Sequence, residues 1–503
     1  MSARDGCVLA LDQGTTGSTA LVVAPDGKII GRGYREIPQH YPAPGLVEHD
    51  PRDLLARTID AGREAIARAG TTPVAIGITN QRETVLVWDR RSGEPVAPAI
   101  VWQDRRTAAR CAKLAADAPE ITRRTGLVTD PYFSATKLEW LIREHALGGR
   151  ARSGELLAGT VDAWLVWKLT GGALHATDPT NASRTMLFDI DRRAWSDELC
   201  ALFGVPRAML PEVRPSSGDF GVATREMFGA GIPIRGVAGD QQSALFGQGC
   251  WHAGEGKNTY GTGAFLLLHA GAKRPPGATG LLTTIACDDR GGAAYALEGS
   301  IFVAGAAVQW LRDGLGVIAT ASETEALARS VPSTDGVCFV PALAGLGAPD
   351  WEPNARGTIV GLTRGTTRAH LARAALEAMA YATDDILSLM CSAAGARFAR
   401  LRVDGGATEN DWLMQFQADV LGVPVERPDV VETTALGAAG LAGIAAGVWG
   451  SAEEFIGTRS FRRFEPGEGT DAARTGKQEW RRAIRAALAW ARDDEQGRES
   501  QRG

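Results

Sequence analysis

Cys7-Val8-Leu9-Ala10-Leu11 runs directly into Asp12-Gln13-Gly14-Thr15-Thr16-Gly17, and after Ser18 and Thr19 comes Ala20-Leu21-Val22-Val23. A short apolar run, a polar turn of Gly and Thr, and a second apolar run read as a β-hairpin. The chain turns again at Pro25-Asp26-Gly27 and returns as a third strand over 28–34. A helix follows with both ends marked. Asp50 is its N-cap, Pro51 its first residue, Leu54, Leu55, Ile59 and Ile66 form one stripe, and Gly70 stops it. Segments 74–79 and 84–88 are strand-like again. Strands mixed with helices predict an α/β protein.

The second half restarts the same pattern. The apolar strand 234–238 ends in Gly239-Asp240-Gln241-Gln242, and Asn258-Thr259-Tyr260-Gly261-Thr262-Gly263 is a small-residue turn before the apolar run 264–268. Val403-Asp404-Gly405-Gly406-Ala407 closes a further strand and opens a helix over 410–421. No short tandem repeat is present. What recurs is a strand ending in an acidic residue, followed by a Gly/Thr turn. Two such halves facing each other would bring two turns to one cleft, where a phosphate chain could lie.

Composition narrows the possible functions. With 503 residues and 53.1 kDa, the chain is long enough for two to four domains, each with its own core. Its 54 Lys+Arg against 59 Asp+Glu give a net charge of −5, which speaks against nucleic acid as a partner. Cys7, Cys111, Cys200, Cys250, Cys287, Cys338 and Cys391 are odd in number and never spaced Cys-x-x-Cys. That excludes a disulfide framework or zinc ribbon and fits a reducing compartment. The start, residues 1–5, opens no leader, because Asp12 interrupts the only apolar run near it. The longest apolar stretch, 435–450, has 16 residues of mostly Ala and Gly, too short for a membrane span. A cytoplasmic location without stable membrane insertion is expected, with a frayed, charged tail from about residue 492.

Phosphate binding needs convergent N–H donors, hydroxyls and little side-chain bulk. Gly14-Thr15-Thr16-Gly17 and Gly261-Thr262-Gly263 offer all three. Neither belongs to a G-x-x-x-x-G-K-[ST] loop; each alone also reads as a plain hairpin turn. Asp12 and Asp240 stand just past apolar strands, where aspartates commonly cap turns. Beside phosphate loops they acquire a second reading, as oxygen ligands for Mg²⁺ and as an acceptor of a substrate proton. Asn80-Gln81-Arg82-Glu83 is a solvated surface quartet or, at a turn, a pair binding one small ligand through Glu83 as acceptor and Arg82 as donor. Adjacent residues on a strand point to opposite faces, so a simple intrastrand ion pair is not expected. Trp102, Tyr132 and Phe265 are core aromatics or the walls of a polyol pocket.

The motifs LDQGTT (11–16), YPAPGLVEHDP (41–51), GITNQRET (77–84), TGLVTDPYFSATK (125–137), TNASRTMLFDI (180–190), GDQQSALFGQ (239–248), KNTYGTG (257–263), LEGSIFVAGAAVQWLRD (297–313) and LRVDGGAT (401–408) resemble those of the FGGY carbohydrate kinase family. The likeness runs over about residues 6–490. It implies two similar domains of actin/hexokinase type (ribonuclease H-like), each on a mixed five-stranded sheet, closing around an interdomain cleft. The boundary falls near Gln248, giving 1–248 and 249–503. NQRE and DPYFS point to the branch acting on glycerol, with ATP as phosphoryl donor, sn-glycerol 3-phosphate as product and Mg²⁺ as cofactor. By match of motif, Arg82, Glu83, Tyr132, Asp240 and Gln241 would hold glycerol, with Trp102 and Phe265 on its carbon face. Asp240 would be the general base, and Asp12 with Asp240 the magnesium site. Thr15, Thr16, Gly17, Thr19 and Thr262 would face the ATP phosphates, and Gly305, Gln309, Gly406 and Asn410 the rest of the nucleotide. A homodimer or homotetramer is implied.

Two departures stand out. Where the family pattern continues Ser-Ser-Arg, this chain has Gly17-Ser18-Thr19, so one hydroxyl and one cation are missing at the first turn. Relatives inhibited by fructose 1,6-bisphosphate carry a Gly-rich loop ending in Arg, whereas the matching segment here is Met227-Phe228-Gly229-Ala230-Gly231-Ile232. Insensitivity to that sugar is expected. The competing readings are a kinase for another small polyol or sugar, and a catalytically silent actin-fold sensor; the presence of Asp240, Arg82 and Glu83 argues against the second.

Overall fold

The computed structural model describes residues 6–500, with side chains as far as Arg492. The leaderless reading of residues 1–5 lies outside the described residues. Val8–Gln13 and Gly17–Val23 form the expected hairpin, with Val8 opposite Val23 and Gln13 opposite Ser18. On its other side Val8–Gln13 runs parallel to Ala75–Asn80, which runs parallel to Ile232–Gly239. Ile29–Glu36 and the short Val222–Ala223 form the edges of this six-stranded sheet.

The second sheet repeats the plan. Glu255–Tyr260 is antiparallel to Ala264–Gly271 and parallel to Arg400–Asp404, which is parallel to Val425–Pro428. Leu282–Cys287, Ala293–Ile301 and Phe461–Phe464 complete seven strands. The two halves therefore share a mixed kernel, and edge strands take both sheets beyond the five expected. The small-residue turn is also shorter than expected. Asn258, Thr259 and Tyr260 are strand residues, the first two paired on both sides and Tyr260 with Ala264, and only Gly261–Gly263 turns.

Side chains alternate across the first strand and bury two different helices. Leu9 and Leu11 share a core with Leu54, Ala61 and Ala65 of the helix Pro51–Ala69. That helix begins and ends as its caps dictate: the Asp50 side chain accepts from the Arg52 N–H at 2.8 Å, and Gly70 closes it in the left-handed conformation. Val8 and Ala10 point the other way, against Ala439 and Ala442 of the helix Thr433–Ala446. Most of the apolar stretch read at 435–450 is thus a helix passed from the second half of the chain onto the first sheet. Every residue from Ala435 to Gly443 is buried, which accounts for a composition without a polar face.

The last helix is Thr470–Ser500, and residues 501–503 lie outside the described ones. Trp480, Ala483, Ile484, Ala487 and Ala491 dock its apolar stripe beside Tyr381. All seven cysteines are free. No helix among the described residues is long and apolar enough to cross a membrane.

Candidate active site

Ala75–Asn80 is buried at every position, and the burial continues through Gln81, Arg82, Glu83 and Thr84. Glu83 has φ +63, the left-handed region, and this kink turns the chain into the next strand, Val85–Asp89. The kink overrides strand alternation. Arg82 Nε and Glu83 Oε1 lie 3.8 Å apart, both side chains 2% exposed, so the quartet is not a solvated surface patch.

Around that corner four charges interlock. Arg82 donates from Nη1 to Glu298 Oε2 at 2.6 Å and from Nη2 to Glu298 Oε1 at 3.1 Å. Arg184 donates from Nε to Glu83 Oε1 at 2.6 Å and from Nη2 to Glu298 Oε1 at 3.0 Å. Burial alone would raise the Glu298 carboxyl, but the guanidiniums of Arg184 and Arg82 hold it down at about 2. Burial pushes the Glu83 carboxyl up, against the pull of the same two cations.

Asp240 opens the helix Asp240–Gly247 at the end of Ile232–Gly239. Its Oδ1 lies 3.2 Å from Arg82 Nε and accepts from the Gln241 N–H at 2.6 Å. Burial raises its proton affinity, with Arg82, the Gln241 N–H and Lys257 opposing. Lys257 reaches this corner from the second sheet, donating to the Gln241 side chain and to Thr259 Oγ1. Asp12 lies close enough that burial and the Asp240 charge together push its carboxyl up to about 7.

The aromatic wall is partly assembled. Trp102 and Tyr132 meet edge-to-face with ring centroids 5.6 Å apart. Trp102 also donates its indole N–H to Thr15 Oγ1 at 2.9 Å. Lys137 lies beneath, its ammonium donating to the carbonyls of Val101, Trp102 and Tyr132. Phe265 is half-buried on Ala264–Gly271, opposite Thr259 and Ser300, and makes no ring contact with Trp102 or Tyr132 among the described residues.

The first turn is braced from below. Gln39 donates to the Thr15 carbonyl at 2.8 Å and accepts from His49 Nε2 at 3.0 Å; His49 Nδ1 faces the Gln81 amide at 3.4 Å. Thr16 is exposed, and Thr15, Gly17 and Thr19 are partly so. A Cβ on Gly17 would lie 2.5 Å from the ring and hydroxyl of Tyr34. The half-exposed ring of Tyr34 stands where that side chain would go.

At the second turn, Ala304 and Ala306 donate to the Thr262 carbonyl at 2.9 and 3.0 Å, and Gly305 donates to Gly261 at 3.0 Å. A Cβ on Gly305 would lie 2.6 Å from the Gly261 carbonyl oxygen, so only glycine fits there. Gln309 and Gly406 are exposed. Asn410 has a structural task as well: its Oδ1 caps the helix Asp411–Leu421, and its amide reaches Thr324.

Arg184, Glu298, Lys257, Lys137 and His49 are absent from the residues expected at the site. One signal was available: Glu298 stands inside the apolar strand Ala293–Ile301, and a charge there must find a partner. Which partner it finds is not written locally.

Comparison with known proteins follows the same geometry. The N-terminal domain of the FGGY family of carbohydrate kinases matches residues 7–247, and its C-terminal domain matches residues 256–446. The chain belongs to the FGGY family of carbohydrate kinases. This FGGY kinase is 56% identical over 491 residues to a glycerol kinase of Aromatoleum aromaticum, covering 96% of this chain and 99% of that one. It is 53% identical to glycerol kinase 2 of Thermotoga maritima, with 96% and 99% covered. Its fold superposes on the ADP-bound glycerol kinase of Plasmodium falciparum with a TM-score of 0.91 at 36% identity, covering 96% of this chain and 98% of that one. A xylulose kinase from Brucella ovis follows at 0.86 and 27%, with 96% and 100% covered. The architecture is the two-domain actin/hexokinase-type fold, and the FGGY kinase is a phosphoryl-transferring enzyme.

Proposed function

We propose that this kinase transfers the γ-phosphoryl group of ATP to a terminal hydroxyl of glycerol, giving sn-glycerol 3-phosphate and ADP. The observation that carries the reading is the corner where Arg82, Glu83 and Asp240 face one another, with Trp102 and Tyr132 packed edge-to-face nearby. A guanidinium edge, an acceptor and a base within a few ångströms suit a small polyol with adjacent hydroxyls. Curated relatives of the same length at 53–56% identity carry the glycerol kinase name, which supports glycerol over a pentulose.

In this reading Arg82, Glu83, Tyr132 and Gln241 hold the hydroxyls, and Trp102 and Phe265 line the carbon face. Asp240 takes the proton of the attacking hydroxyl as its oxygen bonds to the γ-phosphorus and the bond to the β-phosphate oxygen breaks. Its raised proton affinity suits that task. Thr15, Thr16, Gly17, Thr19 and Thr262 border the phosphates, and Gly305, Gln309, Gly406 and Asn410 the nucleoside side. Asp12 and Asp240 offer the hard oxygen donors that magnesium takes, and a cation at this pair would offset the burial and the Asp240 charge that together lift Asp12 to about 7. No group of three or more His, Cys, Asp or Glu among the described residues could hold a metal, so water and phosphate oxygens would complete the shell. Bound there, Mg²⁺ supplies charge neutralisation at the phosphates.

In this reading the functional units are 1–248 and 249–503, divided near Gln248. A cytoplasmic homodimer or homotetramer completes the proposal. The test is ADP release with Mg-ATP and glycerol, dihydroxyacetone, erythritol or xylulose. Glycerol should give the highest kcat/KM. Preference for a larger substrate would reassign the kinase, and no release with any of them would point to a silent protein.

A further inference from the structure

We propose that Glu298 is a positioning residue for the polyol site, a carboxylate from the second sheet that aims Arg82 directly and Glu83 through Arg184. The proposal rests on the reading of Arg82 and Glu83 as polyol ligands.

Two guanidiniums and two carboxylates are sealed together here: the side chains of Arg82 and Glu83 are 2% exposed, Glu298 1% and Arg184 0%. Burying four charges is costly, and a hydrophobic replacement of similar volume is often as stable. Stability alone is therefore a poor reason for the quartet; its geometry offers a better one. Glu298 binds both Nη atoms of Arg82, which fixes the plane of the guanidinium and leaves the Nε edge facing Asp240. Through Oε1 it also holds Arg184, whose Nε takes Glu83 Oε1. The bonds to Glu83 fall on Oε1, which leaves Oε2 as the acceptor for a hydroxyl. Without the Glu298 charge, the fork of Arg82 would turn toward the carboxylates that remain, Glu83 and Asp240, and occupy the groups the substrate needs.

The arrangement also crosses the molecule. Arg82, Glu83 and Arg184 precede residue 248, whereas Glu298 lies on Ala293–Ile301 of the second sheet. The half that carries the second phosphate turn thus sets the aim of the polyol ligands in the other half.

The decisive experiment compares wild type with Glu298→Gln and Glu298→Asp. Glycerol and ATP affinities are measured separately by calorimetry, alongside steady-state kinetics. Gln keeps the volume and removes the charge; Asp keeps the charge and shortens the reach. In Glu298→Gln, the glycerol Kd and KM should rise roughly tenfold to a hundredfold, while ATP affinity without glycerol stays within about twofold. Glu298→Asp should fall between the two in glycerol affinity, and it carries the same comparison if the Gln variant does not fold. A folded variant with wild-type glycerol affinity would overturn the proposal. So would parallel loss of glycerol and ATP affinity, which marks a general structural role. If wild type prefers another polyol, the glycerol assignment fails, and the same comparison run with that polyol still decides the role of Glu298.

Discussion

Arg82 Nε stands 3.2 Å from Asp240 Oδ1, and only one of the two is sealed from solvent: the Arg82 side chain is 2% exposed and that of Asp240 32%. A buried cation thus holds Asp240 from one side, while about a third of the Asp240 side chain stays open to solvent. The guanidinium lowers its proton affinity while burial raises it, and burial is the larger effect.

Asp240→Asn keeps the size of the side chain and most of its hydrogen bonding but cannot accept a proton. We expect kcat to fall by roughly 10²–10⁴, toward the lower end if the transition state is loose, with a much smaller change in glycerol KM. Steady-state kinetics checks this, and a near-normal kcat would remove Asp240 as the base.

Restoring serine at position 17 should not by itself improve ATP binding, because the Tyr34 ring and hydroxyl occupy the space its Cβ needs. Gly17→Ser should leave ATP affinity unchanged or weaken it, whereas Gly17→Ser with Tyr34→Ala should bind ATP more tightly than Gly17→Ser alone. Calorimetric titration of the two variants separates these outcomes.

His49 gives the fold an acid limit. Burial, helped by the charge of His40, pushes its pKa from 6.5 down to about 4, so the folded state favours the neutral ring. Protonation would place an Nδ1–H against the Gln81 amide and loosen the support of the first turn. The sign follows: this stabilisation is complete above pH 6.5 and is lost as pH falls toward 4, a loss of roughly 3 kcal/mol at most. Thermal unfolding across that range should show the decline, and His49→Gln should flatten it.

Fructose 1,6-bisphosphate should not inhibit at the segment after Thr224. Arg225–Phe228 is a single helical turn closed by Gly229, and the Arg225 Nε donates to the Gly229 carbonyl at 3.2 Å. Arg63 covers the same turn, donating to Met227 and Glu226 carbonyls. A multiply charged sugar needs free donors, and Nε of Arg225 with Nε and Nη2 of Arg63 are already engaged within the turn. An activity titration at low salt should be flat; saturable inhibition abolished by Arg225→Ala would contradict this.

Features governed by neighbours in the chain were legible in the sequence. The hairpin at 8–23 and the helix Pro51–Ala69 follow from short-range patterning and caps, and the Gly/Thr turns stand where small residues cluster. The family motifs carried the two-domain plan. One local reading failed for lack of tertiary information: Asn258–Tyr260 is strand because Asn258 and Thr259 have sheet neighbours on both sides and Tyr260 pairs with Ala264.

The family motifs pointed to Asp240, Arg82 and Glu83 as candidate site residues, and the sequence alone determined the α/β class and the duplicated strand-and-turn plan. It did so because capping, alternation and turn chemistry act between residues a few positions apart. Only the tertiary structure decided that Glu83 bends back beside Arg82, that Tyr34 fills the space over Gly17, and that Glu298 neutralises Arg82 and Arg184 together. A desolvated charge must be paired, but its partner is whichever opposite charge the folded chain brings within reach, here more than a hundred positions away in sequence.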